Sequence, residues 1–276
     1  MKKVILGKNK IAYKREGKEG KPKICMLHGL FTNSRYFKET VRYLKDDFEI
    51  LTPDFPGFGH SDPFRERTHT LKHYADIIIE LCDYLSFKPF NLVGASLGGM
   101  VSIVIASKYP KYVKNLVLQA SPWNRTCIDY TFYDKLFSTA SKNKQLVKAV
   151  GALKKGVNRK LLMKLMNLFN KQYSRIEKRN GVIYHSFRTM DLEATSEIWK
   201  NIKDADLSNF ARSISNSTLV ISGDHDEQVY PLRTKLLSKL IKGSAFKMLK
   251  GKKYSHALFL DDPERMASII KSFLIE

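Results

Sequence analysis

The run Phe90-Asn91-Leu92-Val93-Gly94-Ala95-Ser96-Leu97-Gly98-Gly99-Met100 decides how the rest of the chain is read. An apolar stretch ends in Gly-x-Ser-x-Gly, and a helical pattern of Met100, Val101, Ile103, Val104 and Ala106 follows at once. Strand, sharp turn and helix in that order are what a nucleophile elbow requires. Such a turn holds its serine in a strained backbone conformation, so the residues two before and two after it must be small. Gly94 and Gly98 meet that need, because no Cβ fits where strand and helix cross. Ser96 then stands at a helix N-terminus, where free N–H groups and the helix dipole favour negative charge.

Working outward, short apolar runs predict strands at 4–6, 11–13, 23–27, 48–52, 115–120, 217–222 and 245–249, beside the one that leads to Ser96. Helical spacing predicts helices over 34–45, 70–86, 231–241 and 263–273, with Asn33 or Ser34 capping the first and Pro263 opening the last. Strands that alternate with helices imply βαβ units. The fold class expected is α/β, a mostly parallel eight-stranded-type sheet with helices on both faces. The alternation stops after Trp123. From 124 to 203 the pattern is helical only, which predicts an all-helical cap inserted between core segments 1–123 and 204–276.

The 276 residues fit one or two domains with a substantial core. No apolar run approaches membrane-spanning length, so no membrane span is expected. Met1-Lys2-Lys3 is followed by too short an apolar segment for a signal-peptide core, which points to a cytoplasmic protein. Cys25, Cys82 and Cys127 sit in apolar patterns without disulfide or zinc spacing and read as buried small side chains. His69 and His73 have i, i+4 spacing but no third ligand, so no metal site is expected. The formal charge of +21 has two readings. A Lys-, Asn- and Ile-rich composition accounts for it without a partner, and attraction to something acidic also does. No nucleic-acid-binding motif accompanies it, and no nucleic-acid partner is expected.

A serine hydroxyl needs a base, held in turn by a carboxylate, and an acyl transfer needs two N–H donors for the oxyanion. In open α/β sheets these belong at the carboxyl ends of strands. Asp226, in the loop after the strand at 217–222, is the expected acid, with Asp224 as the alternative. His256, in the loop after the strand at 245–249, is the expected base, giving the chain order Ser…Asp…His. His225 adjoins the acid and is badly placed to span to Ser96. The N–H of Leu97 and one from the His28-Gly29-Leu30 loop, assigned to Leu30, are the expected oxyanion donors. His28 is read as a brace for that loop.

The ordered pieces resemble the α/β-hydrolase-fold serine hydrolases with a helical cap: His28-Gly29, Asp54-x-x-Gly57-x-Gly59-x-Ser61, Gly94-x-Ser96-x-Gly98-Gly99, Gly223-x-x-Asp226 with Pro231, and His256 before Asp262-Pro263-Glu264. The resemblance spans nearly all of the chain outside 124–203. It implies a carboxylesterase-like serine hydrolase acting on a small-molecule ester, with no metal or organic cofactor, and structural roles for Asp54 and Ser61. Serine at the elbow sets the chain apart from relatives with aspartate there. Phe31, Trp123, Leu165 and Phe169 are the candidate pocket residues. The 124–203 segment carries 17 Lys and Arg against six Asp and Glu. Its apolar run 161–169 is flanked by Lys154, Lys155, Arg159, Lys160, Lys171, Arg175, Lys178 and Arg179. That basic rim resembles a layout suited to an acidic acyl carrier protein, as in the pimeloyl-carrier-protein methyl ester esterases. Carbon–carbon bond hydrolysis and slow-turnover ligand reception on the same fold are the other readings.

Overall fold

The computed structural model describes residues 1–128, 156, 158, 160 and 181–275. The apolar run 161–169, with Leu165 and Phe169, and its basic neighbours other than Lys160 lie outside the described residues. Eight strands form one sheet in the order β1-β2-β4-β3-β5-β6-β7-β8: β1 Lys2–Leu6, β2 Asn9–Gly17, β3 Lys23–Leu27, β4 Glu49–Pro53, β5 Phe90–Ala95, β6 Val113–Gln119, β7 Ser217–Gly223 and β8 Ala245–Leu249. β1 with β2 and β2 with β4 pair antiparallel; every other neighbouring pair is parallel. The expected α/β class therefore holds, with β1 and β2 as its antiparallel margin. β2 is longer than its apolar pattern implied. It runs on through Gly17 because Lys14, Arg15 and Glu16 pair with β4, where the Arg15 guanidinium also meets the buried Glu49 carboxylate.

The sheet is covered on both faces, as parallel strands demand. On one face lie α1 Lys38–Leu44 and the C-terminal helices α8 Leu258–Asp261 and α9 Pro263–Ile275. Phe37, Val41, Leu44, Phe259, Met266 and Ile270 join Ile24, Met26, Val93 and Ile221 of the strands there. On the other face α2 Leu71–Tyr84, α3 Leu97–Lys108 and α7 Pro231–Leu240 bury Ile77, Ile78, Leu81, Val101, Ile105 and Leu237 against Leu92, Leu116 and Val220. The helix expected at 34–45 opens with a 3-10 turn, Ser34–Phe37, capped by Asn33, whose side chain accepts the Arg35 N–H.

Between β6 and β7 come α4 Val182–Thr189, α5 Leu192–Lys203 and α6 Ser208–Ser213. The last of these had no sequence signal, being one short turn without periodicity. α4 and α5 rest on the loops that follow β3 and β4. The Asp191 N–H donates to the Gly57 carbonyl at 2.6 Å, and a Cβ on Gly57 would collide with that of Ala194.

The crossing of α3 over the strands explains three glycines. A Cβ on Gly98 would strike the Leu27 carbonyl, and one on Gly94 would meet the Gly98 carbonyl and the Ser102 hydroxyl. Gly99 is as tightly constrained, because its Cβ would overlap Ser121 Oγ at the end of β6. Backbone cannot yield as a small side chain can. Gly98→Ala is therefore expected to cost about 3 kcal/mol or more in urea unfolding. Gly99→Ala is expected to be comparably damaging alone but largely rescued by Ser121→Gly in the double variant, a non-additivity that a double-mutant cycle measures.

Candidate active site

Ser96 links β5 to α3 with φ 52° and ψ −115°, a conformation that side-chain-bearing residues rarely adopt. Four non-glycine residues among those described have positive φ, and three of them, Phe31, Ser96 and Ala120, follow the carboxyl ends of β3, β5 and β6. Backbone strain is thus concentrated at one rim of the sheet, where function is expected to concentrate it. Leu97 is the first residue of α3, so its N–H has no acceptor within the helix.

The loop after β3 passes beside Ser96: a Cβ built on Gly29 would stand 3.3 Å from Ser96 Cβ and 3.9 Å from its Oγ. His28, fully buried, braces this loop. Its Nε2 accepts the Phe55 N–H at 3.0 Å, which requires that nitrogen to be unprotonated, so Nδ1–H donates to the Gly29 carbonyl at 2.8 Å. Burial lowers the His28 pKa, partly opposed by the Asp54 carboxylate, in keeping with a neutral ring. The Thr32 hydroxyl and N–H also donate to the Gly29 carbonyl, at 2.8 and 3.3 Å. A trans peptide aims its N–H opposite its carbonyl. Three donors on one carbonyl therefore fix the direction of the Leu30 N–H. Asp54 and Ser61 support the layer below: Asp54 accepts the Ser34 and His60 N–H groups at 2.7 and 2.9 Å, and Ser61 Oγ donates to the Asp54 carbonyl at 2.7 Å.

Asp226 and His256 meet across the ends of β7 and β8. His256 Nδ1 lies 2.9 Å from Asp226 Oδ2 and 3.2 Å from Oδ1. Oδ1 also accepts the N–H groups of Gln228 and Val229, both at 2.9 Å. The Asp226 side chain is wholly buried, and its charge is met by this shell of donors. With Nδ1–H given to the carboxylate, Nε2 of His256 carries the free lone pair that a base needs. Asp224 and His225, the alternatives, pair with each other: His225 Nδ1 lies 2.7 Å from Asp224 Oδ1 at the surface, and Asp224 further accepts the Gly251 N–H. His69 Nδ1 faces the Tyr74 hydroxyl and His73 Nδ1 the Thr68 carbonyl.

Two residues without a motif hold this arrangement together. Gln119, fully buried at the end of β6, accepts the Ser96 N–H on its carbonyl at 2.9 Å and donates its side-chain amide to the His256 carbonyl at 2.9 Å. The Tyr36 hydroxyl donates to its remaining side-chain oxygen at 3.3 Å. Asp261 clamps the His256 loop by accepting the N–H and hydroxyl of Ser255 at 2.8 and 2.7 Å. Gln119 closes the apolar run Leu116-Val117-Leu118 at the end of β6, a buried polar side chain that the strand pattern does not single out. Asp261 is masked in the sequence by the adjoining Asp262, which serves as acceptor for Lys253 and Tyr254.

Of the candidate pocket residues, Phe31 is half-buried, as is its neighbour Leu30, whereas Trp123 is buried and its indole N–H donates to the Arg233 carbonyl at 3.1 Å. Two surface clefts, of about 530 and 460 Å³, lie at 43 with 264–275 and at 63–69 with 191–197, and neither is lined by Ser96, Asp226 or His256.

Residues 22–263 match the family of the alpha/beta hydrolase fold. Over its whole length the chain is 26% identical to the pyrrolizixenacetamide deacetylase of Xenorhabdus hominickii, covering 98% of that protein. It is also 26% identical to a pimeloyl-[acyl-carrier protein] methyl ester esterase of Neisseria meningitidis, with 91% of this chain and 92% of that one aligned. Among solved structures, the enol-lactonase of Burkholderia xenovorans superposes with a TM-score of 0.79 at 21% identity, over 100% of both chains, a likeness of fold. The chain belongs to the alpha/beta hydrolase fold family and is a hydrolase of that family.

Proposed function

We propose that the chain hydrolyses a carboxylic ester of small to medium acyl size through an acyl-enzyme on Ser96. The carrying observation is the buried Asp226–His256 pair, tied through Gln119 to the strained serine at the head of α3. In this mechanism Ser96 Oγ attacks the ester carbonyl while His256 Nε2 takes its proton. The tetrahedral oxyanion lies between the N–H groups of Leu30 and Leu97. His256 returns the proton to the leaving alcohol, and the acyl-enzyme is released by water activated through the same imidazole. Asp226 holds the ring in the tautomer that leaves Nε2 free and stabilises the imidazolium. The donor shell on Asp226 supports that role, since the Gln228 and Val229 N–H groups hold Oδ1 in place while Oδ2 meets the ring.

In the same reading residues 124–203 form a cap over the 1–123 and 204–276 core, the substrate meets Phe31 near the Gly29 loop, and the protein works in the cytoplasm without a cofactor. A second, narrower reading is an ester borne by an acidic acyl carrier protein. The excess of 17 basic over six acidic residues in 124–203, together with the methyl ester esterase relative, favours it. It requires a carrier-borne ester to be cleaved faster than the free ester and the advantage to fall with added salt.

Ser96→Ala is expected to lower hydrolysis of a short p-nitrophenyl ester by at least about 10³-fold with an unchanged melting temperature, and undiminished turnover overturns the reading. Gln119→Met fills the same space but removes the donor to the His256 carbonyl. It is expected to lower kcat about tenfold or more at nearly constant KM and to cost about 1–3 kcal/mol in denaturant unfolding, from the buried carbonyl and Tyr36 hydroxyl left without partners.

A further inference from the structure

The Gly29 loop continues into Asn33, a residue 1% exposed whose side chain is fully engaged at one seam. Its Oδ1 accepts the Arg35 N–H at 3.0 Å. Its Nδ2 lies 3.1 Å from Ser186 Oγ and 3.3 Å from His185 Nδ1, both on α4. Ser186 in turn donates its hydroxyl to the Val182 carbonyl at 2.8 Å, so it receives the Asn33 amide as an acceptor. An amide nitrogen only donates. His185 Nδ1 must therefore present a lone pair, and a proton there would confront the Asn33 N–H groups.

The charged and titratable groups around His185, among the described residues, are Arg35 on the turn below, Asp54 and His60 from the loop after β4, and Arg188 on its own helix. The rings of His60 and His185 meet edge to face at 5.7 Å. Burial, then Arg35 and His60, lower the His185 pKa to about 4, with Asp54 opposing.

We propose that Asn33 is a positioning residue that seats α4 on the loop carrying Gly29 and Leu30, and that this seat closes only while His185 is neutral. The inference rests on the reading of Ser96 as nucleophile and of the Leu30 N–H as an oxyanion donor. Four residues separate His28 from Asn33 along the chain, with the Gly29 carbonyl already pinned from below. Fixing Asn33 from above leaves the intervening peptides little freedom. A helix outside the core sheet thereby sets the geometry of the oxyanion loop.

Asn33→Asp tests this with a sign that simple damage does not give. Aspartate still caps the Arg35 N–H. Its second oxygen, however, faces His185 as an acceptor, so Nδ1 must now carry a hydrogen, and the contact becomes a charge-assisted pair that tightens the seat when the ring is protonated. A facing carboxylate raises a histidine pKa by about 1–3 units. In the full-length chain, NMR titration of the His185 ring, assigned with His185→Gln, is expected to show that rise from about 4 in the unsubstituted protein. The ratio of variant to wild-type kcat on p-nitrophenyl acetate is expected to climb about threefold or more as pH falls from about 8.5 to 6, with KM little changed. A purely structural cost gives a flat ratio. A flat ratio, or a His185 pKa that does not move, overturns the proposal. Absence of hydrolysis in the wild type defeats the Ser96 reading instead, and the titration still judges the seat.

His185→Gln supplies an independent check. Glutamine accepts the Asn33 amide without titrating. In the wild type a His185 pKa below the unfolded value of about 6.5 adds stability that is present above that pH and lost as pH falls toward the folded value. The drop in melting temperature from pH 7 to about 4.5 is therefore expected to be smaller in His185→Gln, and an equal drop counts against the proposal.

Discussion

The structure turns on one backbone conformation that it must hold against its own preference, the positive φ of Ser96. A residue with a side chain remains there only when its surroundings over-determine the turn. Here the determination comes from two sides. β5 is locked between β3 and β6 by parallel ladders, and the Ser96 N–H is fastened to the Gln119 carbonyl. α3 is pulled down until its first turn touches the Leu27 carbonyl and Ser121, which only Gly98 and Gly99 permit. Both the exposure of the serine hydroxyl at the rim and the free N–H of Leu97 beside it follow from that compression.

The same rim gathers a buried charge. Asp226 is stabilised by the Gln228 and Val229 N–H groups and by His256, so its carboxylate need not draw on solvent. The His256 loop is held by three separate restraints. They are Asp261 on Ser255, the Gln119 amide on the His256 carbonyl, and Gly223, whose missing Cβ lets the Tyr254 backbone pass over the end of β7. Each comes from a different element. The ring is thus positioned by the assembled sheet rather than by its own loop, which is the preorganisation that acyl transfer demands.

Legibility in the sequence followed the range of each interaction. Strands such as β3 and β5 were readable because a buried parallel strand is a continuous apolar run, and the elbow because its glycine spacing is local. Chain order does not separate Asp226 from Asp224, since both lie between Ser96 and His256; in the structure Asp224 faces outward to His225 while Asp226 faces His256. The Gln119 amide and the Asn33 amide left no pattern, since their partners His256 and Ser186 lie more than a hundred residues away, and Asn33 was legible only as a helix cap. The extent of β2 was hidden for a related reason: a marginal strand beside an antiparallel partner tolerates polar residues, so hydrophobicity stops before the hydrogen bonds do.

Where the outer helices attach bears on chemistry. α4 and α5 dock on the two loops that follow β3 and β4, through Asn33 with Ser186 and through the Gly57 carbonyl with the Asp191 N–H. The Glu197 carboxylate accepts the His69 N–H, and Asn201 accepts the Leu71 N–H at the start of α2. These contacts are polar and each rests on a single donor and acceptor, so a shift of the helices by the length of one hydrogen bond is felt at the loops directly. The loop after β3 is also the one whose carbonyl is pinned beside Ser96. Any displacement of α4 therefore arrives, through the three intervening residues Leu30, Phe31 and Thr32, at the Gly29 peptide beside Ser96. Under the proposed mechanism, the seating of α4 and the direction of the Leu30 N–H are then two ends of one short mechanical path.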